Sequence, residues 1–318
     1  MTGTVYKSTG SWYQVKAEDG KFYKCRIKGK FRIKGIKSTN PVAVGDRVVI
    51  KLEDNTEGEQ NGVITGIKDR ENYIIRKSVN LSKQTHIIAS NIDQAFLLVT
   101  LNNPPTFTTF IDRFLVTAEA YAIKAILLFN KVDTYSPEEL DEVKYMAAMY
   151  RQIGYECIGI SAKSGKNIEK VKDLMKDKTS MISGHSGTGK STLVNAIEPK
   201  LDLKTTQISE QHKQGQHTTT FAEMFDLDFG ARIIDTPGIK GFGVVDIEKE
   251  ELGNYFPEFF ARKQDCKFYN CLHLEEPKCA VKEALEQGEI PWSRYKSYLQ
   301  ILKGEDDQHY RFENYETE

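Results

Sequence analysis

The sequence predicts three domains in series: an N-terminal β-barrel of the oligonucleotide-binding (OB) type, a central α/β domain built on a phosphate loop, and a C-terminal, mostly helical zinc-binding domain. Three observations predict this order. From Met1 to about Arg70 the chain is a series of short β-type runs punctuated by Gly10, Gly20, Gly29 and Gly45-Asp46. After about Tyr73 strands alternate with amphipathic helices. Beyond Gly241 the pattern turns helical and is interrupted by Cys266, Cys271, His273 and Cys279. The expected boundaries are 1–72, 73–243 and 244–318.

The barrel rests on runs at Gly3 to Tyr6, Trp12 to Val15, Phe22 to Ile27, Arg47 to Leu52 and Gly62 to Ile67. Evenly spaced short strands of this kind close into small barrels, of which the OB and SH3-like barrels read alike. Eleven Lys or Arg against three acids in residues 1–50 leave a surplus of eight positive charges on a chain whose net charge is −1. Such a surplus points to a polyanionic partner. Trp12, Tyr13, Phe22, Tyr23 and Phe31 interleave with the basic residues, either as stacking platforms for bases or as barrel core.

Alternation of strand and helix predicts a parallel sheet for the central domain. Strands are expected at Ala95 to Leu101, Ala125 to Phe129, Glu156 to Ile160, up to Ser183, Phe221 to Phe229 and Arg232 to Ile234. Helices are expected over Phe110 to Ala122, Pro137 to Ile153 (capped by Ser136, with Pro137 at its first position), Ile168 to Met175 and Ser191 to Ile197.

Gly184-His185-Ser186-Gly187-Thr188-Gly189-Lys190-Ser191, followed by Thr192, is a phosphate loop between a strand and a helix. Glycines let backbone N–H groups curl around phosphates, Lys190 reaches the outer phosphates, and the Ser191 hydroxyl ligates Mg²⁺. Asn130-Lys131-Val132-Asp133 follows a strand; its Asp133 carboxylate can accept from the N1 proton and exocyclic amine of guanine, an edge that adenine lacks, while the Lys131 stem lies along the base. Ser161-Ala162-Lys163 stands at another strand end and would offer the Ala162 N–H to the guanine carbonyl oxygen. Asp235-Thr236-Pro237-Gly238 fits the element in which Asp235 holds Mg²⁺ through water and the Gly238 N–H senses the γ-phosphate. His217-Thr218-Thr219-Thr220 fits the first switch, with Thr219 favoured and Thr218 close behind to complete the Mg²⁺ shell. Together these motifs predict a site for GTP, GDP and Mg²⁺.

Their order is unusual. An ordinary GTPase runs phosphate loop, switch threonine, Asp-x-x-Gly, Asn-Lys-x-Asp, Ser-Ala-Lys, whereas here the last two come first. All must meet one nucleotide, so the α/β domain is predicted to be circularly permuted, with the original termini joined through 166–183. The chain leaves that core just after Gly238, so nucleotide state is expected to reach the C-terminal region through residues 236–245. Ile239 occupies the position of the water-orienting glutamine and cannot hydrogen-bond a water; slow intrinsic turnover is expected, with His217 as candidate catalytic group beside Thr219 and Lys190, and activation completed by a partner.

Cys266, Cys271, His273 and Cys279 form C-x₄-C-x-H-x₅-C, which suits a closed tetrahedral Zn²⁺ site of structural rather than catalytic kind. Cys25 and Cys157 stand apart and read as ordinary buried residues, so cysteine usage favours a reducing compartment. Apolar content of 39% without a membrane-length apolar run and a start without leader pattern predict a cytoplasmic protein that enters no membrane.

Barrel, permuted motifs and cysteine/histidine spacing together closely resemble the bacterial ribosome small subunit-dependent GTPase A family. Val44-Gly45-Asp46-Arg47-Val48, Gly215-Gln216-His217-Thr218-Thr219-Thr220 and Arg294-Tyr295-Lys296-Ser297-Tyr298 are further matching segments; Thr236 stands where Ser is common. The resemblance implies a late-acting assembly factor that binds the 30S ribosomal subunit, contacts 16S rRNA rather than DNA, works as a monomer and has its GTPase stimulated by the subunit. Two other readings compete. A phosphate-loop ATPase or nucleotide kinase that carries a zinc module is opposed by Asn130, Asp133 and Ala162, and competition of ATP against GTP decides it; a nucleotide-regulated RNA-binding scaffold would show negligible turnover, for which Ile239 gives some support. Residues 305–318 carry an acidic tail, either disordered or folded back on the basic barrel.

Overall fold

The computed structural model describes residues 1–27, 41–53, 61–77, 85–201, 222–235 and 247–304. The first strands are β1 (Thr2–Ser8), β2 (Tyr13–Ala17), β3 (Phe22–Ile27), β4 (Arg47–Leu52) and β5 (Asn61–Ile67). Alternating apolar residues turn Val5, Val15, Cys25, Val48, Ile50 and Ile64 inward, which is the period-two pattern of a strand with one wet face. β1 pairs antiparallel with both β2 and β4, and β3 pairs in parallel with β5, so the five strands close on themselves. Closure removes free sheet edges, and this parallel pair joins the first three strands to the last two.

A hairpin absent from the sequence expectations, β6 (Tyr73–Lys77) with β7 (Thr85–Ser90), follows the barrel. The buried carboxylate of Asp46 fixes it to the barrel by accepting from Arg70 Nε and Nη2, each at 2.6 Å, from Ser90 Oγ at 2.6 Å and from the Ala43 N–H at 2.8 Å. Gly45 is required there: its φ is +91° and an added Cβ would stand 2.0 Å from the Ser90 carbonyl oxygen.

The central sheet runs β10 (Glu156–Gly159), β9 (Lys124–Phe129), β8 (Gln94–Val99), β11 (Thr179–Ser183), β13 (Arg232–Asp235), β12 (Glu223–Asp226), all parallel except β12. Every residue of β8 is buried, as a strand covered on both faces must be. One face packs on α1 (Thr108–Ala120) and α2 (Pro137–Ile153); the other packs on α3 (Ile168–Met175) and α4 (Lys190–Ile197). α2 begins where the sequence placed it, with a reciprocal capping box between Ser136 and Glu139 and Pro137 in its first turn. β8 ends at Val99 rather than Leu101, because the next residues turn to bond each other. β12 is shorter than the expected Phe221 to Phe229, since Leu227 to Ala231 form the turn into β13.

Two junctions make one body of these parts. β1 pairs antiparallel with β12 at Lys7↔Glu223, so barrel and central sheet form one hydrogen-bonded system of eleven strands among the described residues. The C-terminal helices α5 (Lys249–Leu252), α6 (Pro257–Lys263), α7 (Ala280–Glu286) and α8 (Trp292–Lys303) enclose their own core around Phe256, Phe259 and Tyr298. α8 rests on α1, whose Val116 joins that core from the other side.

Candidate nucleotide site, metal centre and barrel face

Parallel strands present all their carboxyl ends at one sheet edge, which is where an α/β sheet meets a ligand. Asn130, Ser161, Gly184 and Asp235 all sit there, at the ends of β9, β10, β11 and β13. Strands that carry Asn130 and Ser161 precede β11 in the chain yet share its parallel sheet, on the far side of β8, so the motifs meet in permuted order.

Asn130 is the junction of three of them. Its side-chain Nδ2 donates to the Thr188 carbonyl at 2.8 Å, and its Oδ1 accepts from the Ala162 N–H at 3.0 Å. This bond takes up the donor that sequence reading reserves for the guanine carbonyl. Gly189 has φ +100°, and a Cβ there would stand 2.5 Å from Asn130 Nδ2, so the close approach needs glycine. Lys131 is held left-handed at φ 68°, and Asp133 is exposed at the same turn. Ser161 is buried and braces its loop by accepting from the Ser164 N–H at 3.0 Å.

Within the phosphate loop Gly184 has φ +146°, Ser186 and Gly187 are exposed, and Thr188 is buried with its Oγ1 donating to the His185 carbonyl at 2.9 Å. The His185 ring lies 3.7 Å, centroid to centroid, from Phe110. Lys190 donates to the carbonyls of Gly184 and His185 at 2.7 and 2.6 Å. Burial pushes its pKa down to about 8, with nearby Asp235 acting the other way. Ser191 is buried and Thr192 half-buried at the start of α4, a helix whose Gly189 cap offers no side-chain acceptor to the free N–H groups, the arrangement that favours an anion. His217, Thr218, Thr219, Thr220, Thr236, Pro237, Gly238 and Ile239 lie outside the described residues, as do Phe31, the segment 236–245 and the acidic tail.

Sequence reading missed the loop after β8. Thr100 Oγ1 donates to the Pro104 carbonyl at 2.6 Å, the Thr100 N–H donates to Thr106 Oγ1 at 3.1 Å, and Lys131 Nζ donates to the Asn103 carbonyl. Pro104 packs so near Gly187 that a Cβ there would lie 3.2 Å from its Cδ. The available signal was Asn102-Asn103-Pro104-Pro105 directly after a buried strand, on the same sheet edge as the motifs.

In the C-terminal domain the ligand atoms of Cys266, Cys271, His273 and Cys279 lie within 4.8 Å of one another. His273 Nδ1 is 3.4 Å from Cys279 Sγ and 3.8 Å from Cys266 Sγ. Four soft donors at this spacing fit a tetrahedral cation, in which neighbouring ligand atoms stand about 3.5 to 4 Å apart. Burial depresses His273 to about 4 and so keeps its imidazole neutral, the form that binds metal; burial also raises Cys271 to about 12, so the thiolates of this pocket need a cation. Glu276 accepts from the N–H groups of Leu272 and Leu274, and the Tyr295 and Tyr298 hydroxyls donate to the carbonyls of His273 and Leu272, which fixes the ligand loop.

On the barrel, Tyr13 and Tyr23 are core, whereas Trp12 and Phe22 are 41% and 43% exposed. They line a groove of about 620 Å³ with Lys7, Lys24 and Asn61; Lys24 Nζ lies 4.9 Å over the Trp12 ring. A cation beside an open aromatic face is a platform for a phosphate and a stacked base.

A family model described as RsgA GTPase matches residues 67–245, and one described as RsgA N-terminal domain matches residues 2–59. This chain belongs to the RsgA GTPase family. The small ribosomal subunit biogenesis GTPase RsgA of Christiangramia forsetii is 79% identical over 316 residues, spanning 99% of this chain and 100% of that protein. Among solved structures, YjeQ from Thermotoga maritima is 35% identical with a TM-score of 0.76, covering 95% of this chain and 97% of its own. YloQ, described as a circularly permuted GTPase, is 33% identical with a TM-score of 0.73, covering 99% and 96%. As an RsgA-family member the chain is a GTP hydrolase with an N-terminal barrel and a C-terminal cluster able to hold a metal ion. No helix among the described residues is long and apolar enough to cross a membrane.

Proposed function

We propose that this GTPase reads guanine with Asn130, Lys131, Asp133, Ser161 and Ala162, the Ala162 N–H exchanging Asn130 Oδ1 for the guanine carbonyl, grips phosphates with residues 184–192, and serves small ribosomal subunit biogenesis. The observation that carries the reading is the Asn130 side chain, which ties the phosphate loop at Thr188 to Ala162 and so holds three separate motifs around one volume. Its service to the small subunit rests on the relative from Christiangramia forsetii and the word "biogenesis" in its description.

Lys190, held by two carbonyls, exchanges them for phosphate oxygens, whose negative charge offsets the burial that lowers its pKa. When bound, Mg²⁺ would supply positive charge to the phosphates; Ser191 and Thr219 would hold it directly and Asp235 through water, while the Gly238 N–H would sense the γ-phosphate. His217 orients the attacking water in place of the glutamine that Ile239 supplants, and the small subunit completes activation. Cys266, Cys271, His273 and Cys279 hold one structural Zn²⁺, as the three-thiolate, one-imidazole donor set favours. The barrel groove takes 16S rRNA by phosphate pairing and stacking on Trp12 and Phe22. The protein acts as a cytoplasmic monomer, with domains over 1–72, 73–243 and 244–318.

Steady-state hydrolysis of GTP and ATP, each with and without purified 30S subunits, tests this. Slow GTP turnover that rises at least tenfold (about 1.4 kcal/mol of barrier) with subunits, with ATP inert, is the expected result. Equal turnover of ATP would overturn guanine reading, and an absent response would overturn the ribosomal activator.

A further inference from the structure

Tyr135 is claimed by none of the nucleotide motifs, yet its hydroxyl joins two loops of the site. It donates to the Asn130 main-chain carbonyl at 2.9 Å and accepts from the Leu101 N–H at 2.9 Å. The side chain is buried, 8% exposed, so both bonds are shielded from water and neither partner has solvent to fall back on. On one side of this bridge stands the loop 100–106, stiffened by the bonds of Thr100 to Pro104 and Thr106 and by Asn102 Nδ2 donating to Glu139 Oε1 at 2.6 Å. On the other side stands the turn Asn130 to Asp133, in which Lys131 sits at φ 68°.

A lysine in the left-handed region is strained by about 1 to 2 kcal/mol and persists only where its surroundings over-determine it. Lys131 is held from three directions. Its carbonyl accepts from the N–H and Oγ1 of Thr134 at 2.9 and 2.8 Å, its Nζ donates to the Asn103 carbonyl, and its preceding carbonyl, that of Asn130, is pinned by Tyr135. Asp133 is carried by the turn so fixed.

We infer that Tyr135 is a positioning residue for guanine recognition: its hydroxyl uses the braced loop 100–106 as an anvil to set the backbone from which Asn130, Lys131 and Asp133 project. This rests on the proposal that those residues read guanine. Its action runs through main-chain geometry and needs no contact with the nucleotide. A phenylalanine would fill the same volume, leave the apolar ring packing intact and remove only the two bonds.

The test is nucleotide affinity of the full-length protein for GDP, IDP and ADP, with thermal unfolding followed in parallel, for wild type, Tyr135→Phe and Asn102→Ala. IDP lacks the exocyclic amine that Asp133 would accept from, so the GDP-to-IDP ratio reports aim of that carboxylate. Asn102→Ala removes a brace of the same loop without touching the Tyr135 bridge, and so reports loop stability alone. Tyr135→Phe is expected to weaken GDP about tenfold and to lower the GDP-to-IDP ratio, with kcat at saturating GTP unchanged and KM raised. Asn102→Ala, which loosens the loop but keeps both Tyr135 bonds, is expected to lower the ratio less than Tyr135→Phe does. An unchanged ratio in Tyr135→Phe, or an equal fall in both variants, would overturn the inference. Wild type that binds GDP, IDP and ADP alike would instead overturn guanine reading itself.

Discussion

At the scale of single residues, the nucleotide site depends on bonds whose partners are far apart in sequence. Asn130 has two such bonds, to Thr188 and to Ala162, 58 and 32 positions away. Asn130→Ala removes both and leaves the Thr188 carbonyl and the Ala162 N–H unpaired in a buried place, at about 1 to 3 kcal/mol each. The expected outcome is GDP and GTP binding weaker by about 10²-fold, measured by fluorescent-nucleotide titration, with ATP binding no better than before. On the barrel, Trp12 is exposed and Lys24 sits over its ring, an arrangement that core packing does not require. Trp12→Ala should weaken single-stranded RNA binding by about 5- to 150-fold, the value of one stacked base, while GTP turnover without subunits stays unchanged. Fluorescence anisotropy with a labelled oligonucleotide at fixed salt measures it.

At the scale of elements, α1 and α8 are joined by charges that no water reaches. Arg294 on α8, fully buried, donates from Nη1 to Asp112 of α1 at 2.7 Å and from Nε and Nη2 to Glu258 of α6 at 2.6 and 3.2 Å, and Tyr150 of α2 donates to the same Asp112 oxygen at 2.8 Å. Burial raises the Asp112 pKa even against the pull of Arg294. Arg294→Met leaves the buried Asp112 and the partly buried Glu258 without a cation, and the expected loss is about 3 to 5 kcal/mol of unfolding free energy in urea. With its cation gone, Asp112 has a folded-state pKa still further above its unfolded value, so the folded state holds the extra proton. The deficit is therefore full at high pH and shrinks as pH falls toward that raised pKa. Urea midpoints of variant and wild type compared between pH 8 and pH 5 read the sign directly.

At the scale of the whole molecule, three parts with four apolar clusters are tied by polar junctions that include the β1 and β12 pairing with its ion pairs from Lys7 to Glu223 and Lys16 to Asp226, the Asp46 cluster, and the Arg294 cluster. Each part keeps its own apolar cluster, so one can loosen while another holds. In the proposed metal-bound form, chelation takes away the cation that the thiolates of the cysteine and histidine cluster need. Chelator is expected to raise hydrogen exchange across 253–302 while β8, β9 and β11 stay protected, and loss of protection across the whole sheet would show instead that the metal supports the entire fold.

What the sequence determined by itself is whatever a contiguous run can specify. The phosphate loop, Asn130 to Asp133, Ser161 to Lys163, the cap at Ser136 and the cysteine spacing are legible because backbone dihedrals, caps and ligand chemistry act over a few residues. Alternating apolar positions likewise revealed the barrel strands, and motif order alone revealed the permutation. Only the tertiary structure decided which aromatics of the barrel face outward, that β3 closes on β5 in parallel, that the loop 100–106 meets the Asn130 turn through Tyr135, and that Arg294 meets Asp112, 182 residues earlier. A strand pattern is the same whichever face is wet, and a buried charge pair carries no local signature. Those outcomes are set by which surfaces exclude water together, and that is a property of the packed chain.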